Sequence, residues 1–330
     1  MIYKDRNKYK EGYKIEPTTF MKNILHSIET KRWVDIEIEY YKLLTEYALT
    51  KEDCEGEIDK LNEQLKFIQN KLIDYLGEIK ISDSLLKPAI RQKIYAPIKQ
   101  TDISIEGQEC LKKHIEDELG LNKDALDYKL QQYGSCYSSR YVEGLRENYS
   151  EQEGLDWDCV PKDLLFPNQI MLLNFNYTHT AHLYCKAGSI FNINQIHGDV
   201  EEPDSIIFGY GDELDEDYKE ISELNDNKLL ANIKSIKYLE ADKYRKMLAF
   251  IESEPYQVLI MGHSCGNSDR TLLNKIFEHK NCVSIKPYYY IKEDGGNSYL
   301  ELVQNIHRNF TDMNLMRDRV VNKLYCETLT

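Results

Sequence analysis

Residues 257–277, with the sequence QVLIMGHSCGNSDRTLLNKIF, indicate the fold class of the chain. It opens with an apolar run ending at Met261, passes through small polar residues, and continues with apolar residues at helical spacing as far as Phe277. A strand buried on both faces of a sheet has such a continuous apolar run, whereas a half-exposed strand alternates. The stretch therefore predicts a buried parallel strand, a tight turn and a helix.

Similar apolar runs recur in the C-terminal half of the chain. Because helical stretches separate them, 228–252 being the clearest, they predict an α/β fold with a Rossmann-like, mostly parallel sheet. Ligands of such sheets bind at the carboxyl ends of the strands, so the motifs at those ends form the candidate site. The other predicted strands are QIMLLNFN (169–176), SIFNINQIHG (189–198), SIIFGYG (205–211) and CVSIKPYYYI (282–291).

The preceding residues predict a large helical insertion or subdomain. A helix is expected from Thr30, and an apolar seam with steps of three and four runs from Ile58 to Ile79. Such a seam packs inside one molecule or against a partner helix, and an internal helical hairpin is favoured. The predicted division is an irregular segment at 1–30, a mainly helical region at 31–165 and the sheet core at 166–330.

Composition limits the classes of partner. The 330 residues are 42% hydrophobic, and 42 basic against 56 acidic side chains give a net charge of −14. This charge disfavours direct binding of nucleic acid and of anionic membranes, but a nucleotide can still bind through backbone N–H groups at helix starts. With no membrane-length apolar run, no signal peptide and scattered cysteines, a cytoplasmic protein with reduced thiols is expected.

The first motif is Asn174-Phe-Asn176-Tyr-Thr178, at the end of the predicted strand 169–176. An asparagine at a strand end can present its amide to a ribose hydroxyl or hold a water. The alternative is a turn-forming asparagine that caps the following helix.

The second motif is His197-Gly198, at the end of the predicted strand 189–198. A histidine there is a candidate general base at neutral pH, and the glycine lets a ligand approach the backbone. Taken singly, the dipeptide is a weak signal because it is common by chance.

The third motif spans Gly262 to Asp269 and includes His263 and Ser264. Small residues at a strand-to-helix turn, with a hydroxyl group at the helix start, form a nucleotide-contacting loop. Gly262-His263-Ser264-Cys265-Gly266 also matches the nucleophile elbow of α/β-hydrolases, which makes a serine esterase a remote alternative. Such an enzyme also needs an acid and a histidine downstream of the serine. The 66 residues that follow Ser264 leave little room for the strands that would carry them.

His179, His182 and Cys185 could form part of a metal site, because their spacing places them on one face of a helix. No further ligand at suitable spacing completes the set. No metal is therefore predicted, and a histidine-containing helix start beside a pocket is the favoured interpretation.

Taken in order, these motifs resemble the bacteriophage abortive-infection AbiH family. The resemblance covers about residues 30–310 and rests on the order of the pieces, since no single piece is specific. The pieces are W-x-D-x-E at 33–37, N-F-N-Y-T-x-T at 174–180, I-H-G at 196–198, F-G-x-G-D at 208–212, G-H-S-x-G-x-x-D at 262–269 and the tyrosine-rich run at 285–290.

At a coarser level the same order resembles sirtuins and the sirtuin-like NAD hydrolases of bacterial defence. The resemblance implies that Asn176 contacts the nicotinamide ribose and orders the attacking water, and that His197 is the catalytic histidine. Gly262 and Ser264 match the loop that contacts the adenosine-side ribose. The other motif residues implied to line the NAD pocket are Asn174, Thr178, Gly198, His263 and Asp269.

The sequence departs from these families at three points. The AbiH family opens with an apolar strand and a G-N-G-F-D loop. Residues 1–30 show neither, since Gly12 is their single glycine and no apolar strand precedes it. An in-frame copy of the motif upstream of Met1 would restore the loop. The family's glutamate after N-Y-T-x-T is His182 here. The sirtuin zinc cysteines are absent, which argues against a protein deacylase.

Two functions follow as expectations. The leading one is a defence effector that binds NAD or a related nucleotide and hydrolyses the nicotinamide N-glycosidic bond. The alternative is a catalytically inactive nucleotide-sensing or interaction subunit, which the missing loop favours. A phage trigger, a defence-system subunit or a second copy of the chain are the expected protein partners.

Overall fold

The computed structural model describes residues 16–31, 35–49, 55–119, 157, 160, 162–185 and 190–330. The predictions for residues 1–15 and Trp33 lie outside the described residues. Within them, the chain is α/β, mostly helical, with short parallel strands.

The described part of the chain between Thr19 and Leu119 is mainly helical. Its helices are α1 (Thr19–Lys31), α2 (Ile36–Leu49), α3 (Glu55–Gly77), α4 (Pro88–Ile94) and α5 (Ile105–Leu119). Two boundaries differ from the prediction: α1 lies inside the segment expected to be irregular, and it ends at Lys31, where a helix was expected to begin. The sequence TFMKNILHSIETK has apolar residues at helical spacing among polar ones, and its buried Phe20 and Ile24 face α2 and α3.

The apolar seam of α3 is internal in its first half. Ile58, Leu61 and Leu65 are buried against α2, whose Tyr40 and Leu44 are fully buried. Burial of a leucine side chain contributes roughly 2 kcal/mol, so these contacts account for the helical pair. The second half of α3 leaves this core, and Tyr75 is exposed.

The C-terminal half contains two separate pairs of parallel strands. β1 (Ile170–Asn174) pairs with β2 (Phe191–Gln195), and β3 (Tyr256–Met261) pairs with β4 (Cys282–Tyr288). Four of the five predicted strands are thus confirmed, and parallel pairing is confirmed within each pair. The described residues form two two-stranded sheets, not the single sheet that was predicted.

The fifth predicted strand, 205–211, was wrong. Residues 206–210 form no regular strand, and Tyr210 makes only an isolated bridge with Ile233. The predicted helix 228–252 is also interrupted by turns. The helices of this half are α6 (Glu216–Glu223), α7 (Asn227–Leu230), α8 (Lys234–Lys237), α9 (Lys243–Ser253), α10 (Arg270–Phe277), α11 (Tyr299–Arg308) and α12 (Met313–Arg319).

A second core surrounds β3 and β4. Every residue of β4 is buried, and Ile285 is fully inaccessible. Apolar residues of α9, α10 and α11 cover these strands, among them Met247, Phe277 and Ile306. Strands covered in this way carry continuous apolar runs, which is why the sequence revealed them.

Candidate functional site

A buried lysine lies at the centre of the candidate site. Only 1% of the Lys234 side chain is exposed, and its Nζ lies 2.8 Å from a carboxylate oxygen of Glu37 and 2.8 Å from Oδ1 of Asp269. These residues belong to α8, to α2 and to the turn between β3 and α10. A buried charge is tolerated only when it is paired, so the two carboxylates are what hold this ammonium group in place.

The predicted F-G-x-G-D segment positions the lysine, although it forms no strand. Gly209 donates its backbone N–H to Oε1 of Glu37 at 2.9 Å, and the carbonyl of Tyr210 accepts from the backbone N–H of Lys234 at 2.8 Å. A Cβ atom on Gly209 would lie 1.9 Å from the carbonyl oxygen of Asn232. Glycine is therefore required here so that the segment passes closely between α2 and α8.

His197 joins the same cluster through Asp269. Its Nε2 lies 3.1 Å from Oδ1 of Asp269 and 3.2 Å from the Tyr238 hydroxyl. Because a carboxylate only accepts hydrogen bonds, Nε2 carries the proton in this network, and Nδ1 is the nitrogen that can accept one. A carboxylate that fixes the tautomer and orientation of a histidine is the arrangement that general bases use.

The charges of the cluster shift its titrations. Burial raises the pKa of Glu37 to about 7, although Lys234 opposes the shift. Burial also lowers the pKa of His197, and Lys234 adds to the effect, so the imidazole is neutral at pH 7. Burial alone would raise the pKa of Asp269, but Lys234 and His197 hold it well below its usual value. The cluster thus holds a neutral base beside a carboxyl group that titrates near neutrality.

An apolar cavity of about 410 Å³ adjoins this cluster at the carboxyl ends of β1 and β3. Phe175, Asn176 and His263 line it there. The Phe175 ring contacts the ring of His263, with centroids 4.0 Å apart, and the ring of His197 at 5.3 Å. His263 Nε2 also lies 3.6 Å from Oδ2 of Asp269. His263 and Phe175 therefore connect the cavity to the buried cluster, in which His197 is 4% exposed.

The first predicted motif is divided between two roles. The side chain of Asn174 donates to the carbonyl of Thr178 at 3.0 Å, contacts Gln195, and accepts from the backbone N–H of Asn176 at 3.1 Å. Its hydrogen-bonding groups are used inside the turn, which favours the turn-forming alternative for Asn174. The Asn176 side chain is exposed at the cavity.

The predicted glycines and Ser264 occupy different environments. Gly198 has a φ of +94°, and a Cβ atom there would lie 2.2 Å from the carbonyl oxygen of Ser205, so its role is to close a turn. Gly262 has a φ of +80°, and a Cβ atom there would lie in ordinary van der Waals contact, 3.9 Å, with the Leu329 side chain. Ser264 is exposed, and its carbonyl accepts from Asn305 at 2.8 Å.

Neither the serine esterase nor the metal site is supported by the arrangement of the described residues. Among the described residues no hydrogen bond joins the Ser264 hydroxyl to a histidine, and the neighbouring His263 accepts at Nδ1 from the backbone N–H of Cys265 at 3.0 Å. His179 contacts Asp199, and its ring centroid lies 5.0 Å from that of His182. In the described part of the chain, no group of three or more metal-ligating side chains is arranged to hold an ion.

Comparison with known families decides the wider identity. The family model described as "Bacteriophage abortive infection AbiH" matches residues 2–290. The chain belongs to the AbiH family. No curated protein and no solved structure matches it. Membership assigns this AbiH chain a role in phage abortive infection. Across the described residues, no helix has the length and apolarity needed to cross a bilayer.

Three residues of the buried cluster around Lys234 were not predicted from the sequence as site residues: Glu37, Lys234 itself and Tyr238. Glu37 was quoted within W-x-D-x-E, but nothing local linked it to a strand end. Lys234 was hidden in a stretch predicted as one continuous helix. The only available signal was the pair of glycines at 209 and 211, since closely spaced glycines indicate a tight backbone approach.

Proposed function

We propose that this AbiH chain binds NAD or a related nucleotide at the cavity mouth and hydrolyses its nicotinamide N-glycosidic bond. The observation that carries the proposal is the buried network of His197, Asp269 and Lys234, which reaches the cavity through Phe175 and His263. A neutral histidine oriented by a carboxylate, next to a cavity, is a site for proton abstraction.

The chemistry would cleave the bond between the ribose C1′ and the nicotinamide nitrogen. A water oxygen bonds to C1′, nicotinamide leaves with the bonding electron pair, and the water proton passes to the histidine base. His197 is the proposed base, and Asp269 stabilises the resulting imidazolium charge. Asn176 supplies the exposed amide that would orient the water or a ribose hydroxyl.

The described residues fit one end of such a nucleotide better than the other. An aromatic ring and an amide at the mouth, from Phe175 and Asn176, suit a nicotinamide riboside. A diphosphate needs backbone N–H donors, for which the turn from Gly262 to Gly266 is the available candidate. The proposal includes the expectation that the strands belong to a Rossmann-like sheet, which binds nucleotides at the carboxyl ends of its strands.

A second candidate function is nucleotide sensing without catalysis. The burial of His197 favours sensing, because the Phe175 ring lies between the imidazole and the cavity and so limits access of a ligand to the base. In that case the cavity mouth would still bind the nucleotide, and Asn176 would contact it without supporting turnover.

Nicotinamide release from NAD tests these candidates. Purified protein, with and without phage lysate, is incubated with NAD and the products are separated by chromatography. We expect turnover that His197→Asn and Asn176→Ala abolish, whereas His307→Asn, at an exposed histidine on α11, leaves it unchanged. NAD binding by calorimetry without nicotinamide release under either condition would exclude the hydrolase and support the sensor; absence of binding would exclude both.

A further inference from the structure

A second cavity, of about 220 Å³, lies against one face of the β3–β4 pair. Gln257 and Leu259 of β3 line it, as do Lys286 and Tyr288 of β4. These are alternate residues of each strand, so their side chains leave the same face of the pair. Helix α4 and the turn at 99–102 also line the cavity. The cavity is therefore a gap between a sheet face and the segment that covers it.

The lining of this second cavity is charged, and we call it the charged cavity. It shares two residues of β3 with the apolar cavity. On α4, however, Ile90 and Ile94 line the apolar cavity, whereas Lys93 lines the charged one. Within the described part of the chain, no residue of the cluster around Lys234 lines the charged cavity. Its volume is below the roughly 300–1,000 Å³ of most ligand pockets, which restricts an occupant to a small molecule.

Asp102 is held in a fixed position at the charged cavity, where it is 5% exposed. The fully buried Ser284 donates its hydroxyl to the backbone carbonyl of Asp102 at 2.6 Å. Lys286 Nζ donates to Oδ2 of Asp102 at 2.8 Å. Because these bonds hold both the backbone and the carboxylate, the side chain keeps one orientation.

The buried pair of Asp102 and Lys286 has unused hydrogen-bonding capacity. Oδ1 of Asp102 is buried and accepts no hydrogen bond from any described residue. An ammonium group has three N–H donors, and the bond to Asp102 is the one that Lys286 makes within the described residues. A buried acceptor without a partner is costly to the fold, so such groups normally have one. The charged cavity is the place from which a ligand could supply it.

Two further lysines make the charged cavity attractive to anions. Lys93 Nζ lies 3.8 Å from a carboxylate oxygen of Glu327, whose side chain is 49% exposed. Lys99 is exposed and makes no ion pair with any described residue. The lining thus has three ammonium groups and two carboxylates, Asp102 included, in a chain whose net charge is −14. An excess of one positive charge at a small cavity favours an anionic ligand.

We propose that the charged cavity binds a small hydroxylated organic acid. The carboxylate or phosphate group of the ligand pairs with the lysines, and a hydroxyl group of the same molecule donates to Oδ1 of Asp102. Both features are required, because an acid without a hydroxyl leaves Asp102 unpaired and a neutral polyol leaves the excess positive charge in place. This site is separate from the site of the proposed hydrolase.

Isothermal titration calorimetry of the full chain tests the proposal with matched ligands. The probes are glycerate and glycerol 3-phosphate. Their controls are propionate and propyl phosphate, which have the same acid groups but no hydroxyl. We expect saturable binding of at least one probe, about tenfold tighter than that of its control, which is the effect of one hydrogen bond to a charged group. Comparison of the two probes distinguishes recognition of a carboxylate from that of a phosphate.

Two results of this titration would overturn the proposal. One is the absence of saturable binding by both probes, which would leave the cavity filled by solvent alone. The other is equal binding of each probe and its control, which would mean that a general attraction of anions to lysines accounts for the binding.

Variants at the edge of the cavity locate the bound acid. Lys99→Gln removes a positive charge, and Ala96→Leu, at an exposed alanine of the lining, narrows the cavity. Each should weaken probe binding about tenfold. The matched controls Lys246→Gln and Ala241→Leu, at exposed residues outside the lining, should leave binding unchanged. Unchanged affinity in either cavity variant would place the ligand elsewhere and contradict the proposal.

A separate measurement tests the role of Asp102. Asp102→Asn keeps the shape of the side chain but removes the charge of the acceptor, so the preference for a probe over its control should disappear. If this variant does not fold, NMR of the unaltered protein with isotope-labelled lysine decides. The bound probe should shift the ammonium resonance of Lys286, whereas glycerol, which has hydroxyl groups but no acid, should not. Saturable binding without a shift at Lys286 would exclude the charged cavity as the site.

Discussion

Two lysines are buried among the residues that the structure describes, and their surroundings differ. Lys286 on β4 is 2% exposed and forms one ion pair, with Nζ 2.8 Å from Asp102. Lys234 is equally buried but faces both Glu37 and Asp269. The half-buried carboxyl of Asp35 lies close enough to Lys234 and Asp269 to interact with them, and burial raises its pKa.

The difference is one of balance. At Lys286 one positive and one negative charge neutralise each other. This ion pair holds the turn at Asp102 against β4. The cluster around Lys234 contains more carboxyl groups than ammonium groups. The raised pKa of Glu37, about 7, is one consequence of this excess, and pKa values displaced toward neutrality cluster at functional sites.

The largest expected effect comes from removing either lysine. Lys234→Met and Lys286→Met should each lower the free energy of unfolding by about 3–5 kcal/mol, because each leaves a buried carboxylate uncompensated. Urea denaturation measures this loss. An exposed lysine provides the control: Lys246→Met, at a residue that pairs with exposed Asp242, should change stability by less than about 1 kcal/mol.

Double variants sharpen the comparison. Lys286→Met combined with Asp102→Leu should recover most of the lost stability, since no buried charge remains. Lys234→Met combined with Asp269→Leu should recover less, because Glu37 stays buried and His197 loses its acceptor. Equal recovery at the two sites would show that the cluster is no more than a second structural pair.

A smaller effect is expected from pH. The pKa of Glu37 is raised from 4.5 to about 7 in the folded protein, so its contribution to stability is complete below about pH 4.5 and is lost as pH rises to 7. His197 acts in the opposite sense, because its lowered pKa makes its contribution disappear as pH falls below 6.5. Relative to the unaltered protein, Glu37→Gln should therefore gain stability between pH 5 and 7.

The gain in Glu37→Gln should amount to about 3 kcal/mol at most, because one unit of pKa corresponds to about 1.4 kcal/mol. Denaturation at a series of pH values measures it. Glu57→Gln, at an exposed glutamate of α3, is the control, for which no pH-dependent difference is expected. A difference between Glu37→Gln and the unaltered protein that stays flat with pH would contradict the raised pKa.

The smallest effect concerns the tyrosine beside the histidine. Tyr238→Phe removes the hydroxyl 3.2 Å from His197, should cost about 1 kcal/mol of stability and should shift the ring resonances of His197. Tyr256→Phe, which removes a donor to the carbonyl of Ile276, should cost a similar amount without altering the His197 resonance. NMR titration of the histidines separates the two variants; identical His197 chemical shifts in both would place Tyr238 outside the network.

The sequence predicted what depends on local pattern. Continuous apolar runs identified the four strands of the described residues, and the seam from Ile58 identified α3. The strand predicted at 205–211 was wrong, because the backbone of this segment passes close to another segment at Gly209 and Asn232 and does not pair in a sheet. The interruption of the helix predicted at 228–252 also followed from tertiary contacts that no periodicity records.

The candidate site was predictable only in part. His197, His263 and Asp269 were found because they follow strands, and the structure brings these three together. Their partners Glu37 and Lys234 lie on helices that are far away in sequence, so no local spacing linked them. Asn174 looked like a ligand-binding residue because a turn-forming asparagine at a strand end has the same local sequence.

The separation of Glu37 from Lys234 by 197 residues, and of Lys234 from Asp269 by a further 35, fixes an order of assembly during translation. At synthesis rates of about 5–20 residues per second, the ribosome needs roughly 2–7 seconds to pass from the lysine codon to the aspartate codon. A nascent chain that ends in this interval carries an ammonium group with only one of its two counter-ions, and hydration competes with burial. Completion of the site therefore requires synthesis to pass Asp269, which withholds the site from translation products truncated before that residue.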